Sequence, residues 1–327
     1  MRVARRGAAV PCRARSMIAC PPLPLPSVQN GARGACEPAC RRGHCTIVNQ
    51  IPASTTPVWA GLTLDRPRVM GILNVTPDSF SDGGRHADPA RALEAAHAMV
   101  ADGADVVDVG GESTRPGSSP VSPAVEQARV VPVIRALAAA GLRVSVDTRN
   151  AATMRAALDA GAAIVNDVSG LTFDPAAAAL VAVRRCPVVL MHMRGTPATM
   201  SSLAVYDDVA EEVRAELAIV LDRALAAGIA PEAIALDPGI GFAKHAAHSI
   251  ALLRDLAKLA TLGRPLLIGV SRKAFVGQLS GVAEPAARRG GSLAAGLFAV
   301  LRGASILRVH DVAETVHALR VWHNLCA

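Results

Sequence analysis

From residue 58 onward, hydrophobic and polar positions repeat in one pattern. A short apolar run rich in β-branched residues is followed by a polar residue, a loop and an amphipathic segment that ends at glycine. Continuous apolar runs of this length predict parallel strands that are covered on both faces. Eight such strands are predicted, at Val69–Leu73, Val106–Val109, Arg143–Val146, Ile164–Val165, Val188–Met191, Ile234–Leu236, Leu266–Val270 and Ile306–Val309.

The segments between these strands have recognisable helix ends. Ser122 followed by Pro123 combines a capping side chain with proline at the first helical position, and Gly141 ends the same segment. Similar signals and spaced leucines predict further helices. They include 150–161, which is framed by Asn150 as the expected cap and by Gly161, and also 250–263, Ser292–Arg302 and Val312–Leu325.

This alternation predicts an α/β protein with a single (β/α)8 TIM barrel. A doubly wound open sheet is the main alternative, because alternation alone does not exclude it. The segment Val58–Leu64, followed by Asp65-Arg66-Pro67, predicts a hairpin before the first barrel strand. We expect this N-terminal hairpin to close the bottom of the barrel, which would span residues 58–327.

Residues 1–57 differ in kind from the rest of the chain. They hold eight arginines against one acid, five of the seven cysteines and eight of the 22 prolines, without a helical or strand period. The proline-rich run at 21–26 fits neither a helix nor a central strand. We therefore expect a disordered extension. It is either a targeting segment or an upstream stretch that the natural start codon omits, and we favour the second.

The net charge of +7 belongs to this extension, because the 26 basic and 26 acidic residues after position 57 balance. The charge therefore gives no reason to expect nucleic acid as a partner, and aromatic residues, at 2%, are too few for base-stacking platforms. No apolar run reaches the roughly 20 residues that a membrane span needs. Cys186 and Cys326, far apart in sequence, suggest no disulfide framework, so a reduced, cytoplasmic setting is expected.

Polar residues or polar loops follow every predicted strand. In a barrel these strand ends meet at one mouth, where the chemistry of such folds lies. Any one of them could be a helix cap, but eight together indicate a site. They are Asn74, the loop 110–115, Asp147, Asn166, His192, Asp237, the run Ser271-Arg272-Lys273, and Arg308 with His310.

These residues fall into two chemical sets. The first offers acceptors, an amide and a cation, which suit a flat heterocycle with amide and amino edges. It consists of Asp147, Asn166, Asp237 and Lys273. The second offers an oxygen ligand and cations, which suit a phosphate-rich leaving group held in part through Mg²⁺. It consists of Asn74, Arg115, Arg308 and His310.

Several long blocks at these positions resemble the signatures of the dihydropteroate synthase family. The first runs from Gly71 to Gly84 and the second from Asp108 to Gly117. The others follow in the family's order, at Ser145–Thr148, Val165–Asp167, Met191–Met193, Leu236–Phe242, Ser271–Lys273 and Arg308–Asp311. The resemblance spans residues 67–325 and leaves the extension uncovered.

The resemblance implies a transferase of folate biosynthesis. Such an enzyme condenses 6-hydroxymethyl-7,8-dihydropterin pyrophosphate with 4-aminobenzoate, and it releases 7,8-dihydropteroate and pyrophosphate. The resemblance also implies the barrel fold, a requirement for Mg²⁺ and a homodimer formed through the last helices. Sulfonamides are expected to occupy the 4-aminobenzoate side.

The family's roles fall on matching positions of this sequence. The pterin-binding positions are Asp147, Asn166, Met191, Asp237 and Lys273. The pyrophosphate positions are Asn74, Arg115, Arg308 and His310, and Asn74 also matches the Mg²⁺ ligand. The 4-aminobenzoate positions are Thr114, Pro116 and Ser271. The catalytic roles are expected at Asp147, Lys273, Arg308 and His310.

The implied mechanism is dissociative: pyrophosphate leaves first, and the neutral arylamine then attacks the pterin cation. The loops Thr76–Gly84 and Ser113–Ser119 are rich in glycine, serine and proline, so we expect them to be mobile until pyrophosphate binds. One segment departs from the family. Ala243 and His245 stand where related sequences often have glycine and asparagine or threonine.

Three other functions remain open at this point. A pterin-binding methyltransferase of the corrinoid pathway would use a similar Asp–Asn–Asp set, but it would not need Arg115, Arg308 and His310. A Schiff-base aldolase would use Lys273 as its nucleophile. A non-catalytic pterin-binding paralogue would have lost a site residue, and none of the named positions is lost. Whether His192 acts directly on substrate is also open.

Overall fold

A computed structural model describes residues 56–76, 89–114, 117–118 and 120–326. The predicted extension lies outside these residues, apart from positions 56 and 57. Most of the loop Thr76–Gly84 also lies outside them, as do Arg115 and Pro116. The expectations for these segments therefore stay predictions.

The described strands begin with a small antiparallel hairpin, β1 (Val58–Trp59) and β2 (Leu62–Thr63). The barrel strands follow as β3 (Arg68–Asn74), β4 (Val106–Gly110), β5 (Val144–Asp147), β6 (Ile164–Asp167), β7 (Val188–Met191), β8 (Ile234–Asp237), β9 (Leu267–Ile268) and β10 (Ile306–Val309). Their bounds differ from the predicted ones by two residues at most.

Helices separate the barrel strands. They are α1 (Pro89–Ala101), α2 (Pro123–Ala139), α3 (Ala151–Asp159), α4 (Ala177–Arg184), α5 (Val209–Ala226), α6 (Ala246–Arg254), α7 (Ala274–Ser280), α8 (Arg289–Leu301) and α9 (Val312–Cys326). Within the described ranges, no helix is long and apolar enough to cross a membrane.

The eight strands from β3 to β10 form one parallel sheet, in the order β8-β7-β6-β5-β4-β3-β10-β9. A parallel bridge between Leu236 on β8 and Leu266, just before β9, joins the two ends of this sheet. Leu236 N also donates a hydrogen bond of 2.9 Å to Pro265 O. The sheet is therefore closed into the predicted (β/α)8 barrel, and the open-sheet alternative is wrong.

Strand side chains alternate between the barrel interior and the surrounding helices, because successive residues of a strand point to opposite faces. Outward residues such as Val107, Val109 and Val165 join the main hydrophobic core with the helices. Inward residues near the amino ends of the strands form a separate core. It contains Met70, Val106, Ile164, Val189, Ala235, Leu267 and Ile306, together with Trp59 of the hairpin.

Trp59 closes the bottom of the barrel. Its side chain is buried, and its Nε1 donates a hydrogen bond of 2.9 Å to the carbonyl oxygen of Ala233, just before β8. Burying an indole of this size contributes roughly 4 kcal/mol of hydrophobic free energy. The amino-terminal end of the barrel is therefore closed, and the polar strand ends lie at the opposite, carboxyl-terminal end.

The helix predictions need three corrections. The segment predicted as one helix at 250–263 is α6 followed by a 3-10 helix, Leu256–Leu262, which ends at the left-handed Gly263. The short helix α7 was not predicted, because Ser271-Arg272-Lys273 and a run of only seven helical residues gave little periodic signal. Asn150 precedes α3, but its amide donates to Glu126 at 2.9 Å instead of capping the helix.

Candidate active site

Polar side chains lie at the carboxyl ends of the strands, where the sequence predicted them. Asn74, Asp147, Asn166 and Asp237, together with the apolar Met191, each occupy the last inward position of their strand. They share one face because side chains alternate along a strand and neighbouring strands are in register. Asp147 pairs with Asn166 across β5 and β6, and Met191 with Asp237 across β7 and β8.

Arg308 lies at the centre of this group. It reaches from β10 to two carboxylates on the facing strands. Its Nε lies 2.6 Å from Asp108 Oδ2, and its Nη2 lies 2.7 Å from Asp147 Oδ2. Asn166 Nδ2 donates to the same Asp108 oxygen at 3.0 Å. One guanidinium therefore links strands β4, β5 and β10, and Asp108 also links them to β6.

Burial raises the pKa of Asp147 to about 7. The positive charge of Arg308 opposes this rise, while the negative charges of Asp108, Glu126 and Asp167 add to it. Burial also acts to lower the pKa of Arg308, but the charges of Asp108 and Asp147 hold it above its ordinary value. Arg308 is thus a permanent cation beside a carboxyl group that titrates near neutral pH.

Asp237 and Lys273 form a second pair of groups at the mouth. Burial raises the pKa of Asp237, and the charge of Lys273 opposes that rise. Asp237 Oδ1 accepts a hydrogen bond of 2.7 Å from Gly239 N, which fixes the carboxylate at the start of its loop. Burial lowers the pKa of Lys273 to about 8, against the attraction of Asp237. Lys273 Nζ donates to the Ile240 carbonyl and lies 4.7 Å from the centre of the Phe242 ring.

The predicted phosphate side includes Asn74 and His310. A Cβ built on Gly110 would lie 3.6 Å from both Asn74 Oδ1 and Asp147 Oδ2, so these two oxygens flank the same point of the mouth. His310 Nδ1 lies 3.0 Å from Ser271 Oγ, and His310 N donates to the same oxygen at 3.2 Å. The Ser271 hydroxyl, predicted on the 4-aminobenzoate side, thus contacts a predicted pyrophosphate residue.

Thr114 is half-buried in the loop after β4. Arg115 and Pro116, the neighbouring predicted site residues, lie outside the described residues. The loop is anchored nearby by Glu112, whose Oε1 lies 3.0 Å from Arg149 Nη2 and accepts from Val121 N at 3.2 Å. Arg149 in turn lies 4.1 Å from the centre of the Phe173 ring.

Two charged residues of this region were not predicted as site residues. Asp108 is fully buried, and a buried acid inside an apolar strand has no motif spacing that marks it. Its inward position two residues before Gly110 is the signal that could have identified it. Lys244 is buried as well, and its Nζ lies 2.8 Å from His192 Nδ1. These partners are 52 positions apart in the chain, so the sequence pattern does not reveal the pair.

The comparisons with known proteins agree with this fold. A family model described as pterin binding enzyme matches residues 70–310. This match covers well over half of the chain, which is therefore one of the pterin-binding enzymes.

More specific relatives lie within that class. A dihydropteroate synthase of Neisseria meningitidis serogroup C is 48% identical over 265 residues, which cover 80% of this chain and 94% of that protein. The structure of a Xanthomonas albilineans dihydropteroate synthase with 4-aminobenzoic acid is 49% identical, with a TM-score of 0.77, over 82% of this chain and 97% of that one. A structure of the enzyme from the same organism with 7,8-dihydropteroate is 47% identical, with a TM-score of 0.74, over 81% and 96%. The chain belongs to the dihydropteroate synthase family.

Proposed function

We propose that this chain condenses 6-hydroxymethyl-7,8-dihydropterin pyrophosphate with 4-aminobenzoate, and so forms 7,8-dihydropteroate and pyrophosphate for folate biosynthesis. The observation that carries the proposal is the cluster around Arg308. It places a permanent cation between the buried carboxylates Asp108 and Asp147, at the mouth that also holds Asp237 and Lys273.

The pterin would bind over the first chemical set. The Asp237 carboxylate would accept hydrogen bonds from the amino-pyrimidine edge, which carries N–H donors. Asn166 would offer its amide to the ring, and Lys273 would donate to a ring acceptor. Met191, which is 3% exposed, would form the apolar floor under the ring. This arrangement matches donors with acceptors around a flat heterocycle.

The pyrophosphate side fits Mg²⁺ in the manner that this ion prefers. Within the described residues, no group of three or more His, Cys, Asp or Glu side chains could hold a metal by itself. Mg²⁺ is commonly held by one or two protein oxygens together with substrate phosphates and water, so Asn74 Oδ1 would be the protein ligand. When bound, the ion would neutralise charge that develops on the departing pyrophosphate.

Arg308, Arg115 and His310 would hold the pyrophosphate from the protein side. Arg308 keeps its positive charge at physiological pH, as guanidinium groups do, because the charges of Asp108 and Asp147 offset the effect of burial on its pKa. The hydroxyl of Ser271 would orient the His310 ring, to which it lies within hydrogen-bond distance. A fixed cation at this position stabilises negative charge without reorganising during the reaction.

The departure of pyrophosphate would leave positive charge on the pterin methylene and ring. The ionised form of Asp147 would stabilise that charge. The neutral amine of 4-aminobenzoate would then attack the methylene carbon, held on the side of Thr114 and Pro116. Its nitrogen would lose a proton after the new C–N bond forms, so the step needs no strong base.

Two further features belong to the proposal. We expect a homodimer through the last helices, where Leu301, Val321 and Leu325 are 60%, 61% and 80% exposed. Apolar side chains grouped on neighbouring helices are typical of an interface between subunits. We also expect the enzyme in the cytoplasm, where the buried thiol of Cys186 would stay reduced.

The proposed function is tested by pyrophosphate release from the pterin substrate, with and without 4-aminobenzoate, in Mg²⁺ and in EDTA. We expect release that needs Mg²⁺ and is accelerated by 4-aminobenzoate. Pterin binding without any turnover would contradict the proposal and favour a non-catalytic or methyl-transferring relative.

A further inference from the structure

The loop after β8, residues 238–245, has an unusual backbone. Three of its residues adopt left-handed conformations: Gly239 at φ +66°, Gly241 at φ +80° and Ala243 at φ +47°. Glycine adopts such angles readily, but alanine does so rarely. Ala243 is also buried. Because its backbone conformation is unfavourable for alanine, the contacts around the loop must hold it in place. We call this segment the β8 loop.

The β8 loop contacts both groups of the second pair at the mouth. Asp237 directly precedes it and accepts a hydrogen bond from Gly239 N. The carbonyl of Ile240 accepts from Lys273 Nζ, and the ring of Phe242 lies beside the same ammonium group. A shift of the loop would therefore move a carboxylate and a cation of the proposed pterin site together.

His192, which follows β7, contacts this loop through its backbone. His192 N donates to the Asp237 carbonyl at 2.9 Å. A Cβ built on Gly239 would lie 2.0 Å from the His192 carbonyl oxygen, which is too close for any side chain. The backbone of the loop at Gly239 thus packs directly against the end of β7.

The side chain of His192 contacts the loop through Lys244. Lys244 Nζ lies 2.8 Å from His192 Nδ1, and it donates to the Phe242 carbonyl at 3.0 Å. On the other side of the ring, His192 Nε2 lies 2.8 Å from Glu216 Oε2 on α5. Arg194 Nε also lies 3.0 Å from Glu216 Oε1. A chain of contacts therefore runs from helix α5 through the imidazole to the loop.

These contacts determine the tautomer of His192. The hydrogen bond from His192 and the contacts of Arg194 hold the pKa of Glu216 at about 2, so it is an ionised acceptor. Burial lowers the pKa of His192 to about 4, so its ring is neutral. The single ring proton must then lie on Nε2, facing Glu216. Nδ1 keeps its lone pair and accepts from Lys244.

We propose that His192 and Lys244 are positioning residues of the pterin site. The Nε2–H tautomer of His192 accepts a hydrogen bond from Lys244, and this bond fixes the β8 loop, Asp237 and Lys273 in the geometry that binds the pterin. The inference rests on the proposed function and explains why a buried imidazole and a buried amine lie beside the site. His192 acts through the loop and not on substrate.

The test compares two amide variants of His192. In His192→Asn the side-chain oxygen takes the place of Nδ1 and can still accept from Lys244. In His192→Gln the amide nitrogen takes the place of Nε2 and can still donate to Glu216. Both variants lose the imidazole ring, so a loss of stability from poorer packing would affect the two alike. Affinity for the pterin pyrophosphate is measured by calorimetry without 4-aminobenzoate, and KM and kcat are measured with it.

We expect His192→Asn to bind the pterin pyrophosphate within about threefold of the wild-type enzyme, while His192→Gln and Lys244→Met lose about tenfold or more, as for other lost supports of a binding group. Most of the loss should be in KM. Lys258→Met, which removes an exposed lysine that pairs with Asp208 and Asp255, is the control and should bind normally. Equal affinities of the Asn and Gln variants, or normal binding by Lys244→Met, would overturn the proposal.

A second measurement needs no variant that might fail to fold. Nitrogen-15 NMR of the wild-type enzyme at neutral pH should show His192 with a protonated Nε2 and an unprotonated Nδ1. A proton on Nδ1 would overturn the proposal. A failure of the positioning role can be distinguished from a failure of the proposed function. Wild-type binding without turnover contradicts the function alone, and normal turnover with the wrong tautomer contradicts the positioning role alone.

Discussion

Substitution of Asp108 by asparagine tests the cluster at the centre of the site. Asp108 is fully buried, and its Oδ2 lies 2.6 Å from Arg308 Nε and 3.0 Å from Asn166 Nδ2. Asparagine keeps the size of the side chain but removes its charge. Of its two carboxylate partners, Asp108 and Asp147, Arg308 then keeps only Asp147.

The magnitude follows from the charge-assisted hydrogen bond that is lost. Such a bond is worth about 1.5–3 kcal/mol, which corresponds to roughly 10- to 150-fold in kcat/KM if the loss is expressed in the transition state. The pH dependence should change as well. The charge of Asp108 raises the pKa of Asp147, so its removal should bring that pKa down from about 7.

The sign of the change in the pH profile follows from the role proposed for Asp147. If its ionised form stabilises the pterin cation, activity rises with pH as Asp147 loses its proton. A lower pKa moves this acid limb to lower pH, so Asp108→Asn should keep a larger fraction of its own maximal kcat/KM at pH 6 than the wild-type enzyme does.

The assay is steady-state pyrophosphate release as a function of pH, at saturating 4-aminobenzoate. Asp105→Asn is the matched control, because Asp105 is a buried carboxylate that pairs with Arg66 and Arg68 at the other end of the barrel. It should lose stability and keep the wild-type pH profile. An Asp108→Asn variant with wild-type kcat/KM and an unmoved acid limb would contradict the roles proposed for Asp108 and Asp147.

Three further predictions follow from single contacts. Trp59→Ala should lower the free energy of unfolding in urea by about 3–5 kcal/mol through the cavity under the barrel, with kcat/KM changed less than about threefold; a loss below 1 kcal/mol would contradict the role of the hairpin. Gly239→Ala should weaken binding of the pterin pyrophosphate by about tenfold or more in calorimetry, because its Cβ would lie 2.0 Å from the His192 carbonyl oxygen; normal binding would show that the loop can move freely. Ser271→Ala should raise KM for the pterin pyrophosphate more than KM for 4-aminobenzoate, because Ser271 Oγ contacts His310; the opposite ratio would place this hydroxyl on the 4-aminobenzoate side, as the family resemblance implies.

The sequence predicted the barrel because each strand has a strong local signal. Continuous apolar runs located the strands, and the polar residue at the end of each run located the mouth. Asp147, Asn166 and Asp237 lie at equivalent strand positions, so a correct strand assignment brings them to one face. Capping by Ser122 was also predictable from a local signal, because Pro123 follows it directly. The structure shows Ser122 Oγ accepting a hydrogen bond from Val125 N.

Contacts between distant segments could not be predicted in this way. Arg308 and Asp108 are 200 residues apart, and His192 and Lys244 are 52 apart. The hydrophobic pattern along the chain does not indicate such partners, because these side chains meet only once the barrel has closed. Asn150 is a similar case. The carboxylate of the distant Glu126 competes for its amide, and Asp174 Oδ2 accepts from Ala151 N at the start of α3 instead.

In the proposed reaction, one barrel mouth joins the pterin to the arylamine as pyrophosphate leaves. The most direct measurement is the ratio of the two products in a single reaction of the purified chain with both substrates and Mg²⁺. 7,8-Dihydropteroate is quantified by mass spectrometry and pyrophosphate enzymatically. We expect equal amounts of the two products, which rise together with time. Pyrophosphate without dihydropteroate, or neither product, would contradict the proposed reaction.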